Sequence, residues 1–257
     1  MGFSYTEWVG PFYRPGTPPG GMLRQYAKCF GTVELDTTFY APPRESAVAK
    51  WMNDTPPGFT FAAKAWQRIT HEKRFVDVQA DLDTFLRSVA PLEPKLGPLL
   101  VQCPPDMTVE NLPAFSDFLG SLPVGFRWAV EFRHRSWFTP GVLELLQARN
   151  ICLVGADLYY MPKSLVRTAD YAYIRLLGNR KKVTSIGKVV QDRTEDVHGW
   201  ARDLSETVPD PDEGWVFANN HYSGFSPDTI GLLMHDLGLE KPLYPVNEPP
   251  EQPSLFG

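Results

Sequence analysis

The chain lacks most of the features by which a sequence announces its class. It has no run of about 18 apolar residues, and Met1-Gly2-Phe3-Ser4 is not the start of a secretory leader, so the expectation is a soluble, cytoplasmic protein with no membrane partner. No G-x-G-x-x-G or P-loop pattern occurs, which removes the common glycine turns that cradle phosphate. The 3 cysteines, Cys29, Cys103 and Cys152, lie far apart in apolar stretches. They read as buried free thiols in a reducing compartment, since a disulfide framework or zinc site needs tighter clustering. Basic residues do not outnumber acidic ones: 25 against 30 gives a net charge of -5, so there is no global attraction to nucleic acid. Contact with a polyanion would need a local patch.

What is present is an alternation. Seven short apolar runs each end on a polar residue: Val33 to Asp36, Phe59 to Lys64, Leu99 to Gln102, Trp128 to Glu131, Cys152 to Asp157, Tyr171 to Arg175 and Trp215 to Asn219. Between them, Met22 to Phe30, Arg44 to Met52, Asp77 to Val89, Leu112 to Leu119, Val142 to Ala148, Glu195 to Leu204 and Pro227 to Met234 space apolar residues by three or four, the period of a helix packed on one face. Strand and helix in alternation predict parallel strands with right-handed crossovers. With polar residues at every strand end, a closed TIM-type (β/α)8 barrel is favoured over an open doubly wound sheet.

Seven strands are one short of closure, and the shortage lies at the front. Met1 to Gly21 is aromatic and rich in Pro and Gly, with no strand pattern. Either the first strand is missing, through a start placed too late, or another segment plugs its place; an open gap would expose two strand edges. Residues 1–240 are expected to form one domain. The tail, 241–257, carries five prolines and no periodicity, and is expected to be extended and flexible.

In a barrel the polar strand ends meet at one mouth, where Glu34, Glu131, Lys64 and His134 are candidates for acid/base work and Gln102, Arg175, Asn219, His71, Trp137 and Arg133 for substrate binding. Glu34, Glu131 and Asp157, with His134, also form a candidate divalent-metal set. Salt bridges among these same residues are the structural alternative. Arg68, Lys73, Arg74, Arg133, Arg135 and Arg180 to Lys182 would make the mouth basic and attract a small anion. Phe39, Tyr40, Trp66, Trp137, Tyr159 and Tyr160 could stack on a sugar or base.

Gly2-Phe3-Ser4-Tyr5 with Trp8, Val33 to Tyr40, Phe61-Ala62-Ala63-Lys64, Ile69-Thr70-His71, Leu96 to Leu100, Gln102-Cys103-Pro104-Pro105, Glu131-Phe132-Arg133-His134 with Ser136-Trp137, and Asn219-Asn220 together resemble the YecE-like family, domain of unknown function 72. The resemblance implies a triosephosphate-isomerase-type barrel, related by fold to sugar isomerases and metal-dependent endonucleases, and no established reaction. It places Glu34, Lys64, His71, Gln102, Glu131, Arg133, His134, Trp137, Arg175 and Asn219 at motif positions. Asp36 stands where the pattern more often has an amide.

Three functions follow as alternatives. One is a hydrolase, lyase or isomerase acting on a small phosphorylated or sugar-like anion. The second is a DNA-directed nuclease or repair factor: Gln252-Pro253-Ser254-Leu255-Phe256 resembles the peptide that docks on a bacterial sliding clamp, with Gln252, Leu255 and Phe256 as its anchors. The third is a non-catalytic adaptor.

Overall fold

The computed structural model describes residues 1–208 and 213–248. Among them, eight strands form two parallel sheets. The first is ordered β1 (Thr32–Leu35), β2 (Thr60–Lys64), β3 (Leu96–Gln102), β4 (Trp128–Glu131), β5 (Cys152–Leu153). The second is β6 (Gly155–Leu158), β7 (Tyr171–Gly178), β8 (Glu213–Ala218). Helices α1 (Met22–Tyr26), α2 (Glu45–Asp54), α3 (Gln79–Val89), α4 (Leu112–Ser121), α5 (Pro140–Gln147), α6 (Thr194–Thr207), α7 (Asn220–Ser223) and α8 (Ser226–Asp236) alternate with them. No helix among the described residues is long and apolar enough to cross a membrane.

The seven expected strands are all present, and the eighth label arises because the fifth run is divided. Cys152 and Leu153 pair with β4, and Gly155 to Leu158 pair with β7, so one run belongs to both sheets. Gly155 sits where a Cβ would come within 3.0 Å of the Trp200 ring, and lacking one it lets α6 pack close. Among the described residues the expected barrel is not closed by strand pairing: the outer edges of β1 and β8 have no ladder partner there. Two backbone bonds bridge them instead, from Met1 N to Ala218 O at 3.1 Å and from Gly2 N to Glu34 O at 3.0 Å.

Strand alternation sorts the side chains into two layers. Val33, Leu35, Phe61, Ala63, Leu99, Val101 and Val130 face the helices and join the largest apolar cluster. Ala62, Leu100, Ala129, Ala156, Tyr173 and Phe217 face inward and form a second cluster. Small inward residues leave room for the long polar side chains that follow them on the same face, Lys64 after Ala62 and Glu131 after Ala129.

The aromatic front segment is structural. Trp8, Phe12 and Tyr13 are buried, and burial of such a ring contributes roughly 2–3 kcal/mol relative to exposure. Phe12 packs edge-on against Tyr244 at 5.0 Å, Val246 N donates to Phe12 O at 3.0 Å, and Tyr244 OH donates to Asp228 at 2.8 Å. The expectation of an unstructured tail from residue 241 is therefore corrected for 244–248, which dock on the body because Tyr244 and Pro245 bury apolar surface there. The clamp-like residues Gln252, Leu255 and Phe256 lie outside the described residues.

Candidate active site

Five inward-facing positions at the carboxyl ends of the strands carry charge or an amide: Glu34 on β1, Lys64 on β2, Gln102 on β3, Glu131 on β4 and Arg175 on β7. The hub is Arg175. Its guanidinium donates to Glu34 at 2.7 Å and to Glu131 at 2.5 Å, and lies 3.5 Å from Asp36. Arg133 closes on the other oxygen of Glu131, and Tyr173 OH donates to Glu34 at 2.5 Å. Glu34 and Glu131 have no exposed surface and Arg175 keeps 3%. Buried charges persist only when paired and hydrogen-bonded, as these are.

Proton affinities follow from this arrangement. Burial opposes ionisation of Glu131, yet Arg133 and Arg175 together bring its pKa down to about 2. Glu34, equally buried, is also held below the usual carboxylate range by Arg175. Asp36, one inward position further along, has no such clamp, and burial with the neighbouring Glu34 charge raises it to about 6. Lys64 moves the other way: burial and the Arg175 charge lower it to about 8.

Asp36 and Lys64 share the wall of one cavity of about 430 Å³, together with Gln102, Arg133, Arg175 and Asn219. The Lys64 ammonium donates to Gln102 Oε1 at 2.7 Å and lies 3.7 Å above the Phe39 ring, a cation–π contact that fixes its position. Arg180 reaches the rim from the loop after β7. Tyr40 and Tyr159, also on the wall, expose 68% and 64% of their surface, so flat apolar faces are offered beside the cations. Among the described residues Arg175 Nε is a buried donor without a partner, which suits an acceptor oxygen arriving in the cavity.

The expected site residues divide into three groups. Lys64, Gln102, Arg133, Arg175 and Asn219 line the cavity, while Glu34 and Glu131 lie behind it as fixed anions. Glu131, the leading acid/base candidate in the sequence, is ionised well below neutral pH and clamped by two arginines, a geometry for holding Arg133 and Arg175 in place. His71 sits one layer back, its ring 4.9 Å from that of Phe39 and its Nδ1 2.7 Å from Thr70 Oγ1. Burial and the Lys64 and Arg133 charges lower it to about 4, so it is neutral at pH 7.

His134 and Trp137 are outside the cavity. His134 accepts from Ser136 N at 3.2 Å, capping the turn Arg135–Trp137. Trp137 is fully buried, stacked 4.6 Å from Phe132 and bonded to Met107 O at 2.8 Å, which corrects its placement as a substrate contact. His134→Ala is accordingly expected to lower stability by about 1 kcal/mol, read by urea titration, while leaving binding at the cavity unchanged.

The metal trio is corrected as well. Ala156 and Leu158 face inward, so Asp157 between them faces α6, where it accepts from Trp200 Nε1 and Tyr222 OH, both at 2.9 Å. Among the described residues no three His, Cys, Asp or Glu side chains are grouped to hold a metal ion. The basic mouth also shrinks. Arg68 and Lys73 pair with Asp81, and Arg74 pairs with Asp106, leaving Lys64, Arg133, Arg175 and Arg180 as the cations on the cavity wall. Asp36 is the residue that the sequence undervalued; its signal was that it shares a strand face with Glu34.

The fold and cavity define a parallel α/β protein with a cavity lined by Lys64, Arg133, Arg175 and Arg180 at the carboxyl ends of its strands. The sequence matches the family described as "Protein of unknown function DUF72" over residues 1–254, and the chain belongs to that family. It is 35% identical over 155 residues to the UPF0759 protein YecE of Escherichia coli K12, covering 60% of this chain and 54% of that protein. With the UPF0759 protein YunF of Bacillus subtilis it shares 35% over 143 residues, 51% of this chain and 49% of that protein. These matches thus span about half the length of the curated relatives. A crystal structure of a DUF72 family protein from Thermotoga maritima superposes with a TM-score of 0.74 at 28% identity, covering 92% of this chain and 96% of that one. One from Enterococcus faecalis, at 23% identity, gives 0.69 over 87% and 96% and shares the fold.

Proposed function

We propose that this protein is an enzyme that performs acid/base chemistry on a small phosphorylated or sugar-like anion. The observation that carries the reading is the pairing of Asp36 and Lys64 in one cavity, with pKa values displaced toward neutrality from opposite sides, to about 6 and about 8. Groups so tuned exchange protons with substrate at neutral pH, where an ordinary aspartate or lysine would be locked in one state. Asp36 acts as the base and Lys64 as the acid. Arg133 and Arg175, immobilised by Glu131 and Glu34, present charge that need not reorganise as an oxyanion develops. Gln102 and Asn219 orient the ligand, and the Tyr40 and Tyr159 faces suit a sugar ring. Proton transfer next to a stabilised oxyanion fits a hydrolase, lyase or isomerase.

The finer fold is part of this reading: the two sheets act as one barrel. Its support is that Arg175 on β7 reaches both β1 and β4, which requires a common interior. A cytoplasmic setting is supported by Cys29, Cys103 and Cys152, all buried and free.

Calorimetric titration with inorganic phosphate and a panel of sugar phosphates tests the proposal. Binding is expected for the intact chain, and Arg180→Ala, on an exposed loop, is expected to weaken it about fivefold without moving the melting temperature. If neither phosphate nor any sugar phosphate binds, or if Arg133→Ala and Arg180→Ala leave affinity untouched, the site assignment is wrong.

A further inference from the structure

Lys64 brings an amine to the cavity wall, and among the described residues no carboxylate pairs with it. Its backbone is held on both sides: Thr38 Oγ1 donates to Lys64 O at 2.7 Å, and Lys64 lies in register with Leu100 on β3. At the far end of the side chain Nζ donates to Gln102 Oε1, while Gln102 Nε2 donates to Cys103 O at 3.0 Å. That second bond fixes which way round the amide sits, so Nζ meets an acceptor without charge. A carboxylate in that position would hold a proton on the nitrogen. An amide aims the nitrogen and accepts from its neutral form too.

The charges around Lys64 come from several elements. Burial and the Arg175 charge lower its pKa to about 8, against the pull of Asp36, Glu131 and Glu34. Two of those carboxylates are already engaged, Glu34 by Arg175 and Glu131 by Arg175 and Arg133. His71, on the other side of Phe39, is neutral at pH 7. At that pH about a tenth of such a lysine is free amine, against about 0.04% of an ordinary one. A desolvated amine beside fixed cations is the activated form of this nucleophile.

We propose that the substrate of this site is an anionic ketone or aldehyde and that Lys64 joins its carbonyl carbon as an imine; this rests on the reading of Asp36 and Lys64 as base and acid. The ammonium first passes a proton to the Asp36 carboxylate. The freed lone pair of Nζ forms the C–N bond while the carbonyl π pair moves to oxygen, which Arg133 and Arg175 stabilise and which then takes a proton from the nitrogen. Asp36 returns its proton to that hydroxyl, the C–O bond breaks, and water leaves as the nitrogen lone pair closes the C=N bond. The sum is ammonium plus carbonyl giving iminium plus water, with no oxidant or reductant. Asp36, ionised again, takes the proton from the carbon beside the iminium, whose nitrogen receives the electron pair. Such chemistry narrows the activity to an isomerase or lyase.

Pyridoxal 5′-phosphate, which joins an aldehyde and a phosphate to a flat ring, and glyceraldehyde 3-phosphate are the probes. Each is incubated with the full chain at pH 7 and reduced with cyanoborohydride, and modified lysines are located by peptide mass spectrometry. Lys64 is expected to be modified at least about tenfold faster than the exposed Lys181 and Lys182, with inorganic phosphate suppressing the reaction at Lys64 alone. Modification spread evenly over the lysines overturns the proposal, as does modification of Lys64 that phosphate leaves untouched. If phosphate or a sugar phosphate binds by calorimetry while Lys64 stays unmodified, the imine is wrong and the acid/base site survives it. If nothing binds and Lys64 stays unmodified, both fall together.

Discussion

Arg175→Met is expected to destabilise the protein by about 3–5 kcal/mol, lowering the melting temperature by roughly 6–20 °C. The reason is what remains: Glu34 and Glu131, both without exposed surface, lose the cation that each hydrogen-bonds. Removing one partner of a buried pair leaves an uncompensated charge, which is worse than having neither. The triple variant Arg175→Met, Glu34→Gln, Glu131→Gln is therefore expected to regain more than half of the loss.

The pH dependence has a definite sign. In the intact protein Glu131 is held at about 2, below its ordinary unfolded value near 4.3, so its contribution is present above that value and lost as pH falls through 2. With Arg175 gone, burial raises the Glu34 pKa and opposes ionisation of Glu131, and protonation relieves both. The deficit of Arg175→Met relative to the intact protein should shrink between pH 7 and pH 5. Urea titrations at the two pH values measure it, and a deficit that is constant or grows on acidification would falsify the shared-cation account.

Asp36→Asn and Lys64→Met are each expected to reduce turnover by about 10²–10⁴-fold, the range for losing a positioned acid or base. Once a phosphorylated substrate is found by titration, the intact protein should show a bell-shaped rate profile with limbs near 6 and 8, and each variant should lose one limb. Stability should move differently. Asp36 is raised from about 3.9 to about 6, so its native form favours the proton and stability falls as pH rises through that window. Asparagine removes this penalty and should leave the melting temperature at pH 7 unchanged or higher. A variant that melts early and loses activity in proportion would show Asp36 to be a structural residue.

The conservative reading of the arginine cluster, as a salt-bridge network alone, makes the opposite forecast for these two variants. It explains why Glu34, Glu131 and Arg175 must coexist, but not why Lys64 is tied down by an amide and an aromatic face instead of a carboxylate. Nor does it give Arg175 Nε a partner.

The alternation of apolar runs and amphipathic stretches was legible from the chain alone, because strand and helix periods differ and each leaves its mark on which residues can be apolar. So was the convergence of Glu34, Lys64, Gln102, Glu131 and Arg175, since parallel strands with crossovers bring their carboxyl ends to one side. The division of labour among them was not. Glu131 and Asp36 are both acidic residues at strand ends; one is hydrogen-bonded by two arginines and the other only lies 3.5 Å from one of them, and that difference depends on side chains arriving from β7 and from the loop after β4.

Face assignment shows the same limit. The run Cys152 to Ala156 ahead of Asp157 is apolar throughout, so its sequence does not say which residues point inward, and Asp157 lands against Trp200 and Tyr222. Trp137 beside Arg133 looked like a platform for a ligand, whereas Phe132 and Met107 enclose it. Sequence by itself determined the elements, their order and the end of the strands at which polar groups gather, because these follow from local periodicity and connectivity. Only the tertiary structure decided which carboxylate titrates near neutrality and which strand edges lack a ladder partner among the described residues, because charge and ladder partners come from other elements of the chain, Arg175 lying 141 positions from Glu34 and 44 from Glu131.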